Sequence, residues 1–444
     1  MLSFAARTLE QLSRAPLSFG PVRHGRIRSC EGGLVEVSGL PVPIGTLCRI
    51  EDGAGSTEHT AEVIGFRHGH SLMMLLGDTV LLEPDSLVRP EGTPGMVEVG
   101  EAFLGRAVDG CGMPIDGGGP VAASTRWPLA GRREGALERA SVTLPFDSGV
   151  RAINALATMG VGQRMGIIAG SGVGKSVLID MIAHGAECDI AVVALIGERA
   201  REVSDFVARH LSGAEAARTA IVAVPADHAP NLRLRGCQFA TALAEFFRAQ
   251  GKRVLLIMDS LTRVAHAARE IALLTGEPGA ARGYPPSALA TITRLVERAG
   301  NAASTGGAIT GLYTVLADGD DTNDPVVDTA RAILDGHLVL SRELAQRGHY
   351  PAIDVPASLS RIMDDVVTRE QLAASRAMRA LIANYEGNRD LVLMGAYREG
   401  ADPAVDRAMA MHGRIAAFLA QERAERSSLA DSRAQLLSVM QDGD

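Results

Sequence analysis

Residues 165–185 read MGIIAGSGVGKSVLIDMIAHG, which is an apolar strand, a glycine-rich turn and a helix in that order. Residues 169–176 match a phosphate-binding loop, with Ala169 where the strict pattern has glycine. Small residues are needed there because backbone N–H groups must curl around phosphate oxygens. The following helix adds its positive amino-terminal end. The segment therefore predicts an α/β fold that binds a nucleoside triphosphate.

The residues of this loop have distinct expected roles. We expect Lys175 to reach the β- and γ-phosphates and the Ser176 hydroxyl to bind Mg²⁺. The backbone around them should enclose the nucleotide phosphates. The predicted nucleotide-binding residues of this segment are Ala169, Gly170, Ser171, Gly172, Val173, Gly174, Lys175, Ser176 and Val177.

Two carboxylates follow apolar strands elsewhere in the chain. KRVLLIMDS ends its apolar run at Asp259, which we predict to be the magnesium-side carboxylate. AVVALIG runs directly into Glu198, and the carboxyl edge of a parallel sheet is where substrates bind. Glu198 is thus a candidate for polarising the attacking water, although spacing alone equally allows a surface glutamate.

The pattern of apolar residues along the chain changes twice. Residues 1–90 carry short alternating runs such as GLVEVSG and AEVIGF, which predict an N-terminal β-barrel. Residues 91–366 contain continuous apolar runs separated by helical patterns, which predict a mostly parallel sheet covered on both faces. Residues 367–444 predict a C-terminal helical domain, because apolar residues recur at spacings of three and four in RALIANYEG, AVDRAMAMHGRIAAFLAQERAERSS and RAQLLSVM.

Composition limits the class of protein. The 444 residues carry a formal net charge of −8, which disfavours a surface that coats nucleic acid. The five cysteines are far apart in sequence and indicate free thiols in a reducing compartment. No signal-peptide core or run of about eighteen apolar residues occurs, so we expect a cytoplasmic protein.

Several motifs together resemble one family, the ATPases of the bacterial flagellar type III protein-export apparatus, relatives of the catalytic subunits of rotary ATP synthases. The resemblance is strongest between Gly105 and Arg361. Its segments are GRAVDGCGMPIDGGGP, GQRMGIIAGSGVGKSVL, ALIGERAREVSDF, LLIMDSLTR, GYPPS, GDDTNDPVVDTARAILDGHLVLSRELA and HYPAIDVPASLSR.

The resemblance implies a RecA-like core and assigns further site residues. Glu198 would be the catalytic glutamate, and Arg199 would touch the γ-phosphate. Tyr350 would stack on the adenine ring, and Arg361 would be an arginine finger inserted into the neighbouring subunit's site. Such a guanidinium is worth about 10³–10⁵ in rate. With Lys175 and Asp259, these residues complete the predicted catalytic set.

The resemblance also implies partners. We expect a homohexamer with sites between subunits, a regulatory stator-like protein bound at the N-terminal segment, and a central stalk protein at the ring pore near Glu277–Pro286. Export substrates, their chaperones and the membrane-embedded export gate would be further partners. We expect ATP as the substrate and Mg²⁺ as the cofactor. We expect the protein to be located in the cytoplasm, peripheral to the inner membrane at the flagellar base.

Two departures from the family pattern are Ala200, where glycine is usual, and Asn154, where aspartate is usual. Ala200 should be tolerated unless its backbone needs positive φ. The loop sequence AGSGVGKSVL resembles that of the flagellar members and favours the flagellar branch over the injectisome secretion ATPases. The sequence also leaves three less favoured classes open, namely a non-catalytic ring subunit, a nucleic-acid translocase and a rotary proton-pump subunit.

Overall fold

The computed structural model describes residues 23–51, 58–77, 82–132, 134–317 and 324–441. The chain divides into two compact units, Met1–Leu75 with Thr79–Pro94 and Leu76–Asp78 with Gly95–Asp444. The N-terminal segment predicted to bind a regulatory protein lies outside the described residues. Within these ranges, no helix is both long enough and apolar enough to cross a membrane.

The predicted N-terminal barrel is confirmed. Six antiparallel strands close in the order β1-β2-β5-β4-β3-β6. Their alternating apolar residues, including Val35, Ile50 and Met73, point into a shared core, as the two-residue period of a strand requires. The strands are β1 (Gly25–Glu31), β2 (Leu34–Ser38), β3 (Leu47–Glu51), β4 (Glu58–Arg67), β5 (His70–Leu75) and β6 (Leu87–Glu91).

The predicted parallel sheet is also confirmed. Its main strand order is β20-β19-β13-β18-β16-β14-β15-β8, and only β20 runs antiparallel to its neighbour in that path. The strands of the second unit are β7 (Met96–Val99), β8 (Ala107–Val108), β9 (Thr125–Pro128), β10 (Arg139–Ala140), β11 (Pro145–Phe146), β12 (Met159–Gly160), β13 (Arg164–Ala169), β14 (Ile190–Ile196), β15 (Thr219–Val224), β16 (Arg253–Asp259), β17 (Gly300–Ala302), β18 (Ala308–Leu316), β19 (Gly336–Leu340) and β20 (Ile353–Ser360).

Some helices pack against this sheet, and others come after its last strand in the sequence. They are α1 (Arg151–Leu156), α2 (Lys175–Gly185), α3 (Ala200–His210), α4 (Pro230–Ala249), α5 (Leu261–Leu274), α6 (Pro286–Val296), α7 (Pro325–Ile333), α8 (Arg342–Gln346), α9 (Met363–Val366), α10 (Arg369–Leu393), α11 (Pro403–Leu419) and α12 (Leu429–Gln441). The central strands are buried along almost their whole length, which explains their continuous apolar sequences.

The C-terminal helices follow the predicted pattern with one exception. The helical pattern continues to Ser428 in sequence, but α11 ends at Leu419. The chain after it is held by long-range hydrogen bonds instead. The side-chain Nε2 of Gln421 donates to the Gly149 carbonyl at 2.9 Å, and its side-chain Oε1 accepts from Arg151 N at 2.7 Å. These contacts replace the intrahelical bonds that a longer α11 would make.

Asn154 lies at this same junction and is completely buried. Its carbonyl oxygen accepts from Ser148 N at 3.0 Å and Ser148 Oγ at 2.8 Å. Its amide nitrogen donates to Asp147 Oδ1 at 2.8 Å and to the Ser427 carbonyl at 3.0 Å. An ionised aspartate could not make the last two bonds, because it has no donor. The departure from the family pattern therefore has a structural reason.

Candidate active site

The glycine-rich turn joins β13 to α2. Gly172 and Gly174 have φ of 77° and 93°, in the left-handed region that favours glycine. Gly174 is the residue that caps the amino terminus of α2. Val173 is buried in the core, whereas Ser171 and Ser176 are exposed. The turn is thus anchored at its centre and presents its polar residues outward.

Lys175, Glu198 and Asp259 meet at the carboxyl edge of the sheet. The Lys175 ammonium lies 3.0 Å from Glu198 Oε1 and also contacts Asp259 Oδ1. β13, β14 and β16 are parallel, so the residues that follow them emerge at one edge. The sequence-predicted lysine and both predicted carboxylates are therefore brought together.

Burial and charge set the protonation of this cluster. Burial and the neighbouring charge of Asp259 raise the pKa of Glu198, and Lys175 opposes that shift. Burial alone would lower the pKa of Lys175, yet the two carboxylates outweigh it and the pKa is raised. Lys175 consequently stays charged at neutral pH, and Glu198 binds a proton more readily than an ordinary glutamate.

Thr314 is a site residue that the sequence reasoning missed. It lies fully buried on β18, and its hydroxyl donates to Asp259 Oδ1 at 2.6 Å. This bond orients the carboxylate that also contacts Lys175. The signal available in the sequence was a polar residue within the apolar run AITGLYTVL, beside the strand that ends in Asp259.

Arg199 follows Glu198 directly but does not join the cluster. Its side chain is exposed and lies 3.7 Å from Glu202 on the first turn of α3. Ala200 begins that helix, and its φ is not positive. Its Cβ therefore sits on ordinary helical backbone.

Tyr350 lies beside the phosphate loop. A Cβ placed on Gly174 would be 3.3 Å from Cε1 of the Tyr350 ring. The ring is partly exposed, and its backbone carbonyl accepts a hydrogen bond from Gln421 N at 3.0 Å. Tyr350 thus has one ring edge against the loop and enough exposed surface for a planar ligand to stack on.

Arg361 lies near the amino-terminal ends of the parallel strands, whereas the phosphate loop lies at their carboxyl ends. Its backbone N donates to the Asp335 carbonyl at 2.9 Å, and Asp335 N donates to the Arg164 carbonyl at 2.8 Å, where β13 begins. The phosphate loop follows the other end of β13, about 17 Å away at about 3.3 Å per residue. An arginine side chain is too short to span that distance. Arg361 is exposed and bonds the Arg331 carbonyl at 3.0 Å.

The oxygen donors near the loop fit a magnesium ion bound with a nucleotide. Magnesium is usually held by one or two carboxylates together with substrate phosphates and water. The Ser176 hydroxyl and the Asp259 carboxylate supply donors of that kind. Over the described part of the chain, no group of three or more His, Cys, Asp or Glu side chains could hold a metal by itself. The donor set therefore suits an ion that arrives with its substrate.

These features define a P-loop nucleoside triphosphatase with a parallel α/β core. The nucleotide-binding domain model of the ATP synthase alpha/beta family matches residues 149–360, and the C-terminal domain model of the type III secretion ATPase EscN matches residues 367–438.

Curated relatives are similar over nearly the whole chain. A "Flagellum-specific ATP synthase" of Pseudomonas aeruginosa is 46% identical over 443 residues, covering 99% of this chain and 98% of the relative. A protein of the same description from Salmonella typhimurium is 47% identical over 419 residues, covering 92% of each. A "Type 3 secretion system ATPase" of Xanthomonas euvesicatoria is 42% identical over 420 residues and covers 95% of each.

Solved structures agree. The assembled ATPase EscN of the enteropathogenic E. coli type III secretion system has a TM-score of 0.87 at 39% identity, covering 94% of this chain and all of EscN. EscN in complex with its central stalk EscO has a TM-score of 0.85 at 38% identity, with the same coverage. The chain belongs to the family of flagellum-specific ATP synthases and type III secretion ATPases, and it is an ATP-hydrolysing enzyme.

Proposed function

We propose that ATP binds with its phosphates on residues 169–177 and its adenine on Tyr350. The observation that carries this assignment is the contact of Lys175 with both Glu198 and Asp259 at the mouth of the loop. Lys175 would exchange these partners for the β- and γ-phosphates, and Glu198 would then be free to orient and deprotonate water. Arg199, exposed beside it, would turn to the γ-phosphate.

Ser176 and Asp259 would hold Mg²⁺, which when bound neutralises phosphate charge as the γ-phosphoryl group leaves. Asp259 is suited to this because Thr314 fixes its orientation from the buried side. Glu198 is suited to the base role because its raised pKa brings it closer to neutral pH than an ordinary carboxylate.

The enzyme would work as a homohexameric ring with sites between subunits. Arg361 cannot reach the phosphate loop of its own chain, so any contact it makes with a transferring phosphoryl group must be in a neighbouring subunit. The similarity to assembled EscN supports the ring. Arg361 would then act as an arginine finger in trans.

In this ring, the predicted partners would have defined positions. A central stalk protein would contact the pore near Glu277–Pro286, as the similarity to EscN bound to EscO supports. The N-terminal segment would bind a regulatory stator-like protein. Export substrates, their chaperones and the export gate would bind on the cytoplasmic side of the inner membrane at the flagellar base.

We propose flagellar export, rather than injectisome secretion, as the process that this enzyme drives. The two relatives described as flagellum-specific, at 46% and 47% identity, support this choice, because type III secretion ATPases of Xanthomonas euvesicatoria and Sinorhizobium fredii are 42% and 44% identical. Hydrolysis would be coupled to the unfolding and export of flagellar subunits.

The experiment is gene replacement in the source bacterium. Deletion should abolish filaments and secreted flagellar subunits, the wild-type gene should restore them, and a Glu198→Gln copy should not. Immunoblots of the variant confirm that it accumulates. Normal filaments in the deletion strain, together with loss of another secreted protein class, would point to the injectisome instead.

A further inference from the structure

Asp180 is a buried carboxylate on α2, five residues beyond Lys175. Its Oδ1 lies 2.9 Å from His210 Nε2, and its Oδ2 lies 3.1 Å from Arg209 Nε. Arg423 contacts the same Oδ2. One carboxylate on the phosphate-loop helix therefore joins side chains from two other parts of the chain.

The first of these parts is α3, the helix attached to Glu198. α3 begins at Ala200, two residues after Glu198, and ends at His210. The His210 ring is buried and stacks on Phe206 with centroids 4.1 Å apart. Because Asp180 holds the last residue of the helix, it limits how far the first residue, and Glu198 before it, can move relative to Lys175.

The second part is the segment 420–428 that follows α11. Gln421 N donates to the Tyr350 carbonyl at 3.0 Å. Arg423, two residues further on, bonds Asp180. The segment is thus pinned to Tyr350 at one residue and to the phosphate-loop helix at another. The Gln421 side chain separately bonds Gly149 and Arg151, so Arg423 sets where the segment lies relative to α2 and does not attach it to the fold.

Asp180 is a rigid anchor for both parts. The α2 residues around it, Leu178, Ile179 and Ile182, are buried in the core, so the helix cannot move without unpacking it. Burial acts to raise the pKa of Asp180, but hydrogen bonds from His210 and Arg423 and the charge of Arg209 outweigh it, so the pKa lies below its usual range. The carboxylate is ionised at neutral pH, and its hydrogen bonds are of the stronger, charge-assisted kind.

We propose that Asp180 is a positioning residue that holds the base-stacking side of the site, through Arg423, and the water-activating side, through His210, in register with the phosphate loop. The proposal rests on the assignment of Tyr350 and Glu198 made above. It predicts that the two sides can be loosened separately.

The base side is tested with Arg423→Met in the full-length protein. Its binding of ADP should weaken about tenfold, while binding of inorganic tripolyphosphate, which has no base to stack, should change less than about twofold. Arg426→Met is the matched control, because Arg423 and Arg426 lie in the same segment with side chains 51% and 52% exposed, but Arg426 pairs with Asp147. The control should bind both ligands like the wild type.

The water side is tested with His210→Phe, which keeps the stack on Phe206 and removes the bond to Asp180. Its kcat should fall about tenfold with KM for ATP unchanged within about twofold. Asp180→Asn should show both defects, and the double variant Asp180→Asn/Arg423→Met should bind ADP no more weakly than Asp180→Asn alone. Additive losses would mean that Arg423 affects ADP binding independently of Asp180, which would overturn the proposal.

Thermal unfolding separates positioning from loss of fold. Each variant should unfold within a few degrees of the wild type, with the same secondary-structure spectrum. If ADP and tripolyphosphate weaken equally in Arg423→Met, or neither does, the positioning role is wrong. If Tyr350→Ala leaves ADP binding unchanged and Glu198→Gln leaves kcat unchanged, the site assignment itself is wrong. If those two variants are defective but the Asp180, Arg423 and His210 variants behave like the wild type, the site assignment holds and only the positioning role of Asp180 is wrong.

Discussion

Oε1 of Glu198 lies 3.0 Å from the ammonium nitrogen of Lys175. Glu198 follows β14 and Lys175 begins α2, so the contact joins the proposed water-activating and phosphate-binding sides of the site at the carboxyl ends of the strands. Both side chains are nearly buried, and Asp259 contacts the same nitrogen. The chemistry assigned to Glu198 can therefore be tested independently of nucleotide binding.

Replacing Glu198 with glutamine should lower kcat by at least about 100-fold. The amide keeps the shape of the side chain but cannot accept the proton of the attacking water. Lys175 retains Asp259 as a partner, so ATP should still bind with near-normal affinity. Steady-state turnover and equilibrium binding of ATP measure the two effects. Turnover at the wild-type rate would exclude Glu198 as the base.

The acid side of the pH profile should reflect Glu198. The group works ionised and is neutralised as pH falls through its pKa, and burial raises that pKa. The fall in kcat/KM, which reports the free enzyme, should therefore begin at a higher pH than for an ordinary glutamate of pKa about 4.3. Lys175, with its pKa raised, adds no step in this range. Circular dichroism across the same range controls for acid unfolding; a profile flat down to the ordinary value would contradict the assignment.

Tyr350→Ala should raise KM for ATP about tenfold and leave kcat within about twofold, since base stacking is worth about 1–3 kcal/mol. Tyr350→Phe is the matched control. The phenol oxygen makes only a 3.3 Å bond to the Ala345 carbonyl, so its removal should change KM little. No rise in KM for Tyr350→Ala, or an equal rise for Tyr350→Phe, would refute stacking.

The parts of the fold that the sequence predicted are those governed by local pattern. Continuous apolar runs predicted the buried parallel strands, and the residues at their ends, Glu198 and Asp259, were expected at one edge with Lys175. That follows because parallel strands deliver their carboxyl ends to the same side. Glycine at the positive φ of residues 172 and 174 made the phosphate loop recognisable.

Contacts between distant segments could not be predicted in this way. Thr314 meets Asp259 across neighbouring strands, and Asp180 meets Arg423 from another part of the chain. Neither pair has a local spacing that marks it. The end of α11 was missed for the same reason, since Gln421 makes its bonds with Gly149 and Arg151, which lie far away in the sequence.

Asn154→Asp should destabilise the protein by about 1–3 kcal/mol, the cost of leaving buried polar groups unpaired. The carboxylate would face Asp147 and the Ser427 carbonyl without a proton to offer them. Thermal unfolding at neutral pH should show a lower Tm. Asn388→Asp, whose amide gives up only one bond to the Asn384 carbonyl one turn back, is the matched control. Equal, small shifts in both variants would contradict the junction role of Asn154.

Arg361→Ala should abolish most turnover, and its defect should be complemented in mixed rings. Because Arg361 lies at the end of β13 far from its own loop, the proposed active site would combine Glu198 from one subunit with Arg361 from the next. Glu198→Gln and Arg361→Ala proteins, each inactive alone, should regain activity when mixed, since about one interface in four then combines both intact residues. Wild-type activity should also rise cooperatively with protein concentration. If both residues acted within one chain, no mixture of these two variants could hydrolyse ATP, because neither subunit carries the complete pair.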